Sequence, residues 1–448
     1  MAKAPAVEQC RHPSIDISCA RKNREAIMMV AEALDWTTCS DGGGFIIWVL
    51  QKEDIVEGLR KLRPGQWLSH IPGMLEACSK ASLSEALQNR HACFWPNSWR
   101  VPDTRANEIC QEAFSAGPAA VIIKPDCGSQ GQGISLARSA KELQRHLKNL
   151  LAPVAIVQQY IGPPLLLRGF KWDMRIYALV MSNRQGGLKC FLAREGLARV
   201  CIEPYEQPNS SNLHRLTVHL TNYSLSKFSD KFIFTEKPQD GTQGCKRALS
   251  AVLTVLEDEI GGKVNQTGMW QALGQLTRQT VNAMNDIVQA AAVDPMTWES
   301  NAVAGRSPED IAALARKKMD SCFQILGLDV LLDEDGRPWL LEVNNNPSLS
   351  LDELRPLAAQ TRAEVNEIFA LSKRTVGNGE RWGRPCRCAG HPRPHAHYPC
   401  PVDMAVKLPI LEGALKIIHR ASACDKNGSN QGIITSHSWA EGTIFEPV

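Results

Sequence analysis

The segment 322–348 predicts a β-hairpin with acidic groups on one face. It contains the pair Asp335-Gly336 between two apolar runs, and an Asp-Gly pair favours a two-residue type I′ turn because both positions tolerate positive φ. Strands folded back from this turn place Asp329 opposite Glu342. Because side chains alternate between the two faces of a strand, the carboxylates lie on the face opposite the apolar pairs. The apolar pairs expected on the other face are Leu328 with Val343, Val330 with Leu341, and Leu332 with Trp339.

The acidic face of this hairpin is a candidate metal site. Asn344 lies two residues beyond Glu342, so its side chain returns to the face of the carboxylates. Two carboxylates and an amide are hard oxygen ligands, and such a small set suits Mg²⁺ that is shared with the phosphates of a substrate. The predicted metal ligands are therefore Asp329, Glu342 and Asn344. The alternative is a surface hairpin whose acids only face water.

A glycine-rich flap is predicted upstream of the hairpin. The apolar run from Ala119 ends near Lys124 and is followed by the glycine-containing stretch 127–133 and a second strand from Ile134. The bare backbone of such a flap approaches phosphate oxygens closely. The loop opens a strand rather than a helix, so neither the Gly-Lys-Ser/Thr phosphate loop nor the dinucleotide fingerprint fits. Most glycine-rich loops are ordinary turns, and Lys124 just before this one indicates a phosphate site.

Two further strands carry polar groups. In the run 170–180 the even positions are apolar, whereas Lys171, Asp173 and Arg175 share the odd face. A solvated outer face is the alternative interpretation of that pattern. The run 154–161 is typical of a buried strand that ends in polar residues, and its backbone is suited to hydrogen-bond the edge of an adenine ring.

Five motifs occur in one order along the chain. They are Lys-Pro-Asp-x-Gly-x-Gln-Gly-x-Gly-Ile from Lys124, Gln-x-Tyr-Ile from Gln158, Phe-Lys-x-Asp-x-Arg-x-Tyr from Phe170, His-Leu-Thr-Asn-Tyr-Ser from His219 and Glu-Val-Asn-x-x-Pro-Ser from Glu342. Together they resemble the tubulin tyrosine ligase-like family. Shorter segments at 196–199, 203–208, 212–215 and 244–247 resemble its tubulin polyglutamylase branch, and most closely the side-chain-elongating type. The resemblance runs from about Ile15 to about Pro356.

The resemblance implies an α/β chain with an ATP-grasp fold, in which the ATP site lies between two mainly antiparallel sheets. A chain of 448 residues is expected to form several units. The predicted units are a flexible N-terminus at 1–14, an N-terminal subdomain at 15–100, a central subdomain at 101–182, a C-terminal subdomain with the metal hairpin at 183–356, a basic extension at 357–420 and a tail at 421–448. Within the extension, the apolar spacing from Leu408 to Ile418 predicts a helix that packs on the core.

The resemblance also implies roles for individual side chains. Those implied in catalysis are Lys171, Arg175, Arg199 and Glu342. Those implied in binding ATP are Lys124, Gln130, Gly131, Gln158, Gln159, Tyr160, Ile161, Lys171, Asp173, Thr221 and Asn222. Those implied in binding glutamate are Arg199, Tyr223, Ser224 and Lys246, and the metal ligands are again Asp329, Glu342 and Asn344. Asp173 is expected to hold the ribose or to orient Lys171, and Arg199 to bind a carboxylate of the amino acid.

The activity that the resemblance implies is ligation driven by ATP. A carboxylate is phosphorylated and an amine displaces the phosphate, with a pair of Mg²⁺ ions at the phosphates of ATP. The acceptor would be a glutamate side chain on a tubulin C-terminal tail, and the amine that of free L-glutamate. The alternatives are a glycine or tyrosine ligase of the same family, and a catalytically inactive microtubule-binding protein.

The resemblance implies partners and a location as well. The expected partners are tubulin or microtubules and free L-glutamate, and the protein is expected to be a monomer. The expected location is the cytoplasm and its cytoskeleton. The axoneme of a cilium or flagellum and the basal body are further candidates.

Composition is typical of a globular enzyme. Of the residues, 44% are hydrophobic and 22% charged, and no run of about 18 apolar residues predicts a transmembrane helix. The N-terminus lacks the apolar stretch of a secretory signal, so the 15 cysteines are expected to be reduced thiols. No membrane partner is predicted, and the net charge of +3 is too small to indicate a partner by itself.

Basic residues are concentrated between Lys373 and His397. The cations of this stretch are Lys373, Arg374, Arg381, Arg384, Arg387 and Arg393, and its single acid is Glu380. Such a segment attracts an acidic polymer by long-range forces, and in the polyglutamylase branch a basic region after the core is associated with microtubule binding. A solvated tail is the alternative. A nucleic-acid partner is not predicted, because the charges are not interleaved with aromatic residues and no motif that recognises nucleotide bases accompanies them.

Candidate zinc ligands lie within or just beyond the same stretch. They are Cys386, Cys388, His391, His395, His397 and Cys400. Their spacing matches no paired Cys-x-x-Cys pattern, and the prolines between them would strain a tetrahedral site. A segment without metal is the favoured interpretation, and zinc is the alternative.

Overall fold

The computed structural model describes residues 13–20, 23–115, 117–126, 128, 131–182, 187–261, 264–292, 307–357, 385–386, 395–426 and 436–448. Within these ranges the chain forms a mixed α/β structure with four β-sheets. The six predicted cations between Lys373 and Arg393 lie outside these ranges, as do the zinc candidates Cys388 and His391 and most of the segment 1–14.

The N-terminal unit is a parallel sheet with helical connections. Its strands are β1 (Ser14–Asp16), β2 (Thr37–Cys39), β3 (Ile46–Ile47) and β4 (Trp67–Leu68). They pair in the order β2–β1–β3–β4. Helix α1 (Arg24–Ala33) joins β1 to β2 and α2 (Lys52–Lys61) joins β3 to β4, since parallel strands need a crossover. Two helices follow, α3 (Met74–Ala77) and α4 (Lys80–Asn89).

The central unit is an antiparallel sheet. Its strands are β5 (Ser98–Val101), β6 (Val121–Pro125), β7 (Ser135–Ala137) and β8 (Ala155–Gln159), which pair in the order β5–β8–β6–β7. Helices α5 (Ala106–Ser115) and α6 (Ala140–Lys148) cover one face, where Ile109, Leu143 and Val157 share a core. Because side chains alternate along a strand, Ile122 and Lys124 on β6 lie on the opposite face. The face with Ile122 and Lys124 borders a cleft.

A larger antiparallel sheet supplies the other side of the cleft. Its strands are β9 (Trp172–Ser182), β10 (Leu188–Val200), β11 (Lys246–Ala248), β12 (Phe323–Leu332), β13 (Pro338–Asn344) and β17 (Phe445–Pro447). Five pair in the order β11–β10–β9–β12–β13, and β17 pairs with β10. The central strand β9 is buried on both faces, because Met174 and Ile176 join one core whereas Tyr177 and Leu179 join the other.

Helices cover one face of the large sheet. They are α9 (Leu249–Ile260), α10 (Gln266–Ala292) and α11 (Pro308–Met319), and the short helices α7 (Leu216–His219) and α8 (Tyr223–Ser226) precede them in the chain. Leu253 of α9 and Leu273 and Met284 of α10 are buried in the same core as the even residues of β9. This core also contains Leu68 and Ile71, so it joins the N-terminal unit to the large sheet. Among the described residues, no helix is both long and apolar enough to cross a membrane.

The predicted metal hairpin is present in β12 and β13. Asp329 pairs with Glu342 and Leu328 with Val343, as predicted. Asn344 pairs with Gly327 two residues further along. The pairing therefore confirms that the two carboxylates lie opposite each other.

Two details of the hairpin prediction are wrong. A β-bulge after Asp329 replaces the predicted pairs Val330–Leu341 and Leu332–Trp339 with Val330–Leu340, Leu331–Trp339 and Leu332–Pro338. The turn is also not type I′. Gly336 has φ +80°, and its N–H donates to the Asp333 carbonyl (2.9 Å), as in a three-residue loop with one left-handed glycine. The longer loop and the bulge compensate each other, so the acidic pair keeps its register.

The C-terminal region is packed onto the molecule. Strands β14 (Asp352–Pro356), β15 (Pro385–Cys386) and β16 (His395–Pro399) form a small sheet in the order β14–β16–β15. Helix α12 (Pro401–Lys426) follows, and its buried residues Ile410, Leu411 and Leu415 share a core with β10. The predicted helix at 408–418 is therefore confirmed. The last helix is α13 (Ser436–Ala440).

Two predicted boundaries differ from the structure. The segment 421–448 is not a tail, because it contains α13 and β17 and buries Phe445 against the core. A three-residue strand leaves no periodic signal, so only pairing with β10 reveals it. Strand β9, placed by the prediction in the central subdomain, belongs to the large sheet because it pairs with β10 and β12. The other subdomain boundaries stay predictions.

Candidate functional site

A cleft of about 810 Å³ lies between the central sheet and the large sheet. Strands β6 and β8 line one side, and β9, β10, β12 and β13 line the other. The cleft collects most of the predicted ATP residues, namely Lys124, Gly131, Gln158, Gln159, Tyr160, Ile161, Lys171, Asp173, Thr221 and Asn222. Gln130 lies outside the described residues.

Lys124 extends into the cleft from β6. Its Nζ donates to Gln158 Oε1 (2.6 Å) on β8 and to the carbonyl oxygen of Leu341 (3.3 Å) on the hairpin. Burial lowers the pKa of Lys124 to about 8, against the raising effect of the Glu342 carboxylate. A buried ammonium whose charge is only partly offset gains from an incoming anion. Lys124 is therefore suited to bind a phosphate.

Asp329 and Glu342 form an acidic pair in the wall of the cleft. Asp329 accepts hydrogen bonds from Arg175 Nε (2.5 Å) and Nη2 (3.1 Å), and its Oδ2 lies 2.9 Å from Arg199 Nη2. Burial opposes ionisation of Asp329, but the two arginines hold its pKa well below the usual value. Burial and the charge of Asp329 raise the pKa of Glu342. Glu342 therefore needs a proton or a cation beside it.

The acidic pair fits a divalent cation. Asn344 donates its side-chain amide to Glu342 Oε1 (3.2 Å), which holds the third predicted ligand beside the other two. The arginines take three of the roughly four lone-pair positions of the Asp329 carboxylate, and Glu342 hydrogen-bonds to the same carboxylate. A cation there would replace the proton that burial favours on Glu342. The donors are hard oxygens, and their small number leaves positions for phosphate ligands, as Mg²⁺ requires.

Asp173 is the centre of a network at the end of the cleft. Its carboxylate accepts from Arg199 Nε (2.7 Å) and Nη2 (2.5 Å) and from the Thr221 hydroxyl (2.5 Å). Arg199 therefore bridges Asp173 and Asp329. Although burial acts in the opposite direction, these two carboxylates raise the pKa of Arg199. The contacts predicted for Asp173 with a ribose or with Lys171 stay predictions.

A second buried lysine lies in the cleft. Lys171 Nζ donates to the Tyr160 hydroxyl (2.8 Å), and that hydroxyl lies 3.3 Å from His219 Nδ1. His219 Nε2 lies 3.2 Å from Asn212 Oδ1. Burial lowers the pKa of Lys171, and burial together with the charge of Lys171 lowers the pKa of His219 to about 4. Sequence reasoning did not select His219 or Asn212, although both begin motifs that carry the family resemblance.

A lysine that sequence reasoning missed holds the base of the flap. Lys80, in the first turn of α4, lines the cleft and donates to the carbonyl oxygens of Gly128 (2.8 Å) and Asp126 (3.3 Å). The Asp126 carboxylate accepts the N–H of Ala81 (2.9 Å) in return. Gly131 has φ +80°, a conformation that favours glycine. A lysine after a serine N-cap is too common a pattern to have indicated this role.

A second, cationic pocket of about 1590 Å³ opens beside the cleft, and Arg199 and Thr221 line both cavities. Arg175, Tyr223 and Lys246, three of the residues predicted in catalysis or glutamate binding, line it as well, whereas Ser224 is not among its lining residues. The pocket also has lining residues that sequence reasoning did not assign to a substrate site, namely Asp352, His397, Asp403 and Lys407. They come from segments that follow the recognised motifs, so no motif indicated them.

Comparison with known proteins identifies the family. The model of the tubulin-tyrosine ligase family matches residues 60–365. The chain belongs to the tubulin-tyrosine ligase family. The resemblance predicted from the motifs is thereby confirmed, and the mixed α/β architecture with antiparallel sheets is consistent with the expected ATP-grasp-like fold.

Curated members of the tubulin-tyrosine ligase family are similar to this chain over most of its length. Tubulin polyglutamylase ttll-11 of Caenorhabditis elegans is 31% identical over 372 residues, which cover 79% of this chain and 48% of the relative. TTLL11 of Mus musculus is 32% identical, with 77% and 46% covered. TTLL6 of Homo sapiens, also named a tubulin polyglutamylase, is 32% identical, with 70% and 32% covered. The chain thus spans about half, or less, of the length of these relatives.

The part matched by the tubulin-tyrosine ligase family contains the whole predicted site. The motif residues from Lys124 to Asn344 lie within 60–365. The second pocket extends beyond the match, because β16 supplies His397 and α12 supplies Asp403 and Lys407. Residues after the matched range therefore complete the cationic pocket.

Proposed function

We propose that this protein is an ATP- and Mg²⁺-dependent tubulin polyglutamylase of the elongating type. It lengthens glutamate side chains on a tubulin C-terminal tail by joining the amine of free L-glutamate to a carboxylate of a branch that is already present. The relatives named above are tubulin polyglutamylases. One observation carries the proposal: a cleft with an acidic pair and buried lysines shares the lining residues Arg199 and Thr221 with a second pocket that has a cationic lining.

The cleft is suited to ATP. The backbone of Gln159, Tyr160 and Ile161 would face the adenine edge, and Lys124 and Lys171 would bind the phosphates. Mg²⁺ held by Asp329, Glu342 and Asn344, a pair of ions in the full complex, would neutralise phosphate charge. Arg175 fixes the orientation of Asp329 by its two hydrogen bonds, so that carboxylate stays ionised and in place.

The second pocket is suited to an acidic amino acid. Five basic side chains line it, namely Arg175, Arg199, Lys227, Lys246 and Lys407, against the two acids Asp352 and Asp403. Glutamate brings two carboxylates and one ammonium group, so its net charge complements this lining. The junction at Arg199 would bring the amine to the carboxylate that has been phosphorylated in the cleft. Enclosure of that junction would protect an acylphosphate from water.

Tubulin tails are the proposed acceptor and microtubules the proposed partner. Their acidic side chains complement the cationic pocket and the basic residues between Lys373 and Arg393. The cytoskeleton is therefore the proposed site of action, with the cilium as one place where modified microtubules would be found. A monomer suffices for this function, since the cleft and the pocket are built from one chain.

The other candidates are not favoured. A glycine or tyrosine ligase would leave the cationic lining of the second pocket without a second carboxylate to bind. An inactive microtubule-binding protein would have no need for Lys124, Lys171, Asp329 and Glu342 in one cleft.

The deciding experiment uses purified protein, ATP, Mg²⁺ and microtubules, offered each amino acid in turn, with the tubulin tails analysed by mass spectrometry. Mass increments of glutamate on tails that already carry a glutamate branch are the expected result. Addition of glycine or tyrosine instead, or no addition by protein that MgATP stabilises against heat, would contradict the proposal.

A further inference from the structure

One buried carboxylate of the second pocket holds two lysines. Asp403 Oδ2 lies 2.5 Å from Lys246 Nζ, and its Oδ1 lies 2.8 Å from Lys407 Nζ. Asp403 and Lys407 are buried and Lys246 is nearly so, with 11% of its side chain exposed. Lys407 Nζ also donates to the Ser350 carbonyl (2.7 Å), which fixes its direction. The two ammonium groups are thus held on either side of one carboxylate.

Local structure explains why Asp403 is at this point. Helix α12 begins at Pro401, and an acid in the first turn interacts favourably with the helix dipole. Lys407 follows at position i+4 on the same face, with the acid N-terminal to the base, which is the better order for such a pair. Lys246 comes from β11, on the edge of the large sheet. Asp403 therefore joins a helix beyond the family match to the sheet that carries Arg199.

The charges require Asp403 if both lysines are to stay protonated. Burial lowers the pKa of Lys407, an effect that Lys246 adds to and Asp403 partly offsets. Burial also acts against Lys246, but Asp403 outweighs it and raises the pKa of Lys246. Without the carboxylate, two buried like charges would face each other, and the more deeply buried Lys407 would lose its proton or turn away. The cation pair would then be lost from the pocket.

We propose that Asp403 is a positioning residue that selects a dicarboxylic amino acid, because it holds Lys246 and Lys407 at one spacing where their ammonium groups bind a carboxylate of the incoming substrate. The inference rests on the proposed function and adds the residue that sets substrate choice. Lys246 and Lys407 carry two positive charges and Asp403 one negative charge, so the triad keeps a net positive charge for the substrate. Tyr223 flanks it, with its ring centroid 5.2 Å from Lys246 Nζ.

The test compares Asp403→Asn and Asp403→Glu with the parent protein. Asp403→Asn should raise the apparent KM for glutamate roughly tenfold or more, the loss expected for a charge-assisted contact, and lower the preference for glutamate over glycine. The KM for ATP should change by less than about twofold, because the cleft is untouched. Asp403→Glu keeps the charge and should recover part of the glutamate preference. Glu412→Gln is the matched control, since it breaks the half-buried Glu412–Lys416 pair of the same helix.

Stability and binding measurements distinguish failure of this inference from failure of the proposed function. If Asp403→Asn does not fold, the inference is decided by Asp403→Glu alone. The inference is overturned if Asp403→Glu has the same KM for glutamate and the same selectivity as the parent protein. Equal increases in both KM values, or parental selectivity in folded Asp403→Asn, also overturn it. If the parent protein does not ligate glutamate, the proposed function fails separately. Calorimetric binding of glutamate in the presence of a non-hydrolysable ATP analogue then tests Asp403, and equal affinity of parent and variant would refute its role.

Discussion

At the scale of single residues, the site is defined by charges that compensate each other. Arg199 holds Asp173 and Asp329, whereas Glu342 is buried beside Asp329 and its pKa is raised. A buried charge that loses its partner is costly, so each substitution here is expected to act on its neighbours as well as on the ligand. Substitutions that preserve shape are therefore the informative ones.

Glu342→Gln should leave the fold intact and abolish ligation. Glutamine has nearly the shape of the protonated acid that burial favours at this position, so the melting temperature without nucleotide should change little. The variant lacks the charge that we propose binds Mg²⁺, so MgATP should no longer raise the melting temperature. Thermal shift with and without MgATP measures both effects. Asp335→Asn, an exposed acid in the turn of the same hairpin, is the control, and near-parental turnover in Glu342→Gln would reject the metal assignment.

Arg199→Lys should impair glutamate use more than ATP use. Lysine keeps the charge but cannot span Asp173 and Asp329 with the two-pronged contact that arginine makes. Loss of the contact proposed between Arg199 and the carboxylate of the amino acid is expected to cost on the order of 2 kcal/mol, which corresponds to a KM for glutamate more than about tenfold higher. Steady-state kinetics with each substrate varied in turn provide the comparison. A rise confined to the KM for ATP would contradict the placement of Arg199 at the amino acid.

At the scale of secondary-structure elements, the parts of the chain on either side of the basic segment are packed onto the molecule. Strands β14 and β16 pair with each other, and helix α12 after them is buried. Residues of both strands, Leu354 and His397, line the second pocket. The six basic residues themselves lie outside the described residues, so their contact with microtubules stays a prediction.

Replacing Arg381, Arg384, Arg387 and Arg393 by glutamine should weaken microtubule binding and make it less sensitive to salt. Long-range attraction to acidic tails is screened over about 8 Å near 0.15 M salt. Co-sedimentation at increasing ionic strength should show a steep loss for the parent and a shallower one for the variant, with equal stabilisation by MgATP. Neutralising Arg138, Lys141, Arg145 and Lys148, exposed on the central unit, is the charge-matched control. Parental pelleting of the first variant at every salt concentration would show that the segment is only solvated.

At the scale of the whole molecule, one core joins the N-terminal unit to the large sheet, and polar groups are buried within it. His70 is 4% exposed and lies after β4, where Ser69 Oγ is 3.4 Å from its Nδ1. Burial lowers its pKa from 6.5 to about 4. The unfolded chain therefore binds a proton that the folded chain does not between these two pH values.

Stability should fall as the pH drops from about 6.5 towards 4, and part of this loss should depend on His70. The contribution of this group is present above pH 6.5 and decreases by up to roughly 1 kcal/mol per pH unit below it. His70→Asn should lose less stability over this range than the parent, although it is less stable at neutral pH. Melting temperatures from pH 7.5 to 4.5 check the difference in slope. Exposed His91→Asn is the control, and identical slopes for parent and His70→Asn would show that His70 is not buried in its neutral form.

What the sequence determined by itself is local. Alternation along two strands and a turn glycine were enough to place Asp329 opposite Glu342, and the motif order was enough to identify the family. The glycine-rich flap with Lys124 at its base, and the helix within α12, follow from short-range patterns of the same kind. Such features depend on the backbone preferences and apolar spacing of neighbouring residues, which are written in the chain.

Only the tertiary structure decided which charged groups meet in the site and what shape the site has. Arg175 meets Asp329 across 154 residues of sequence and Lys246 meets Asp403 across 157, and neither pairing has a local signal. The pairing of β17 with β10 and the completion of the cationic pocket by α12 likewise join segments that are distant in the sequence. Burial makes these contacts strong, because a charge removed from water needs a partner of opposite charge, and the fold determines which partner lies beside it. Pairings of this kind exist only once the sheets and helices have packed together.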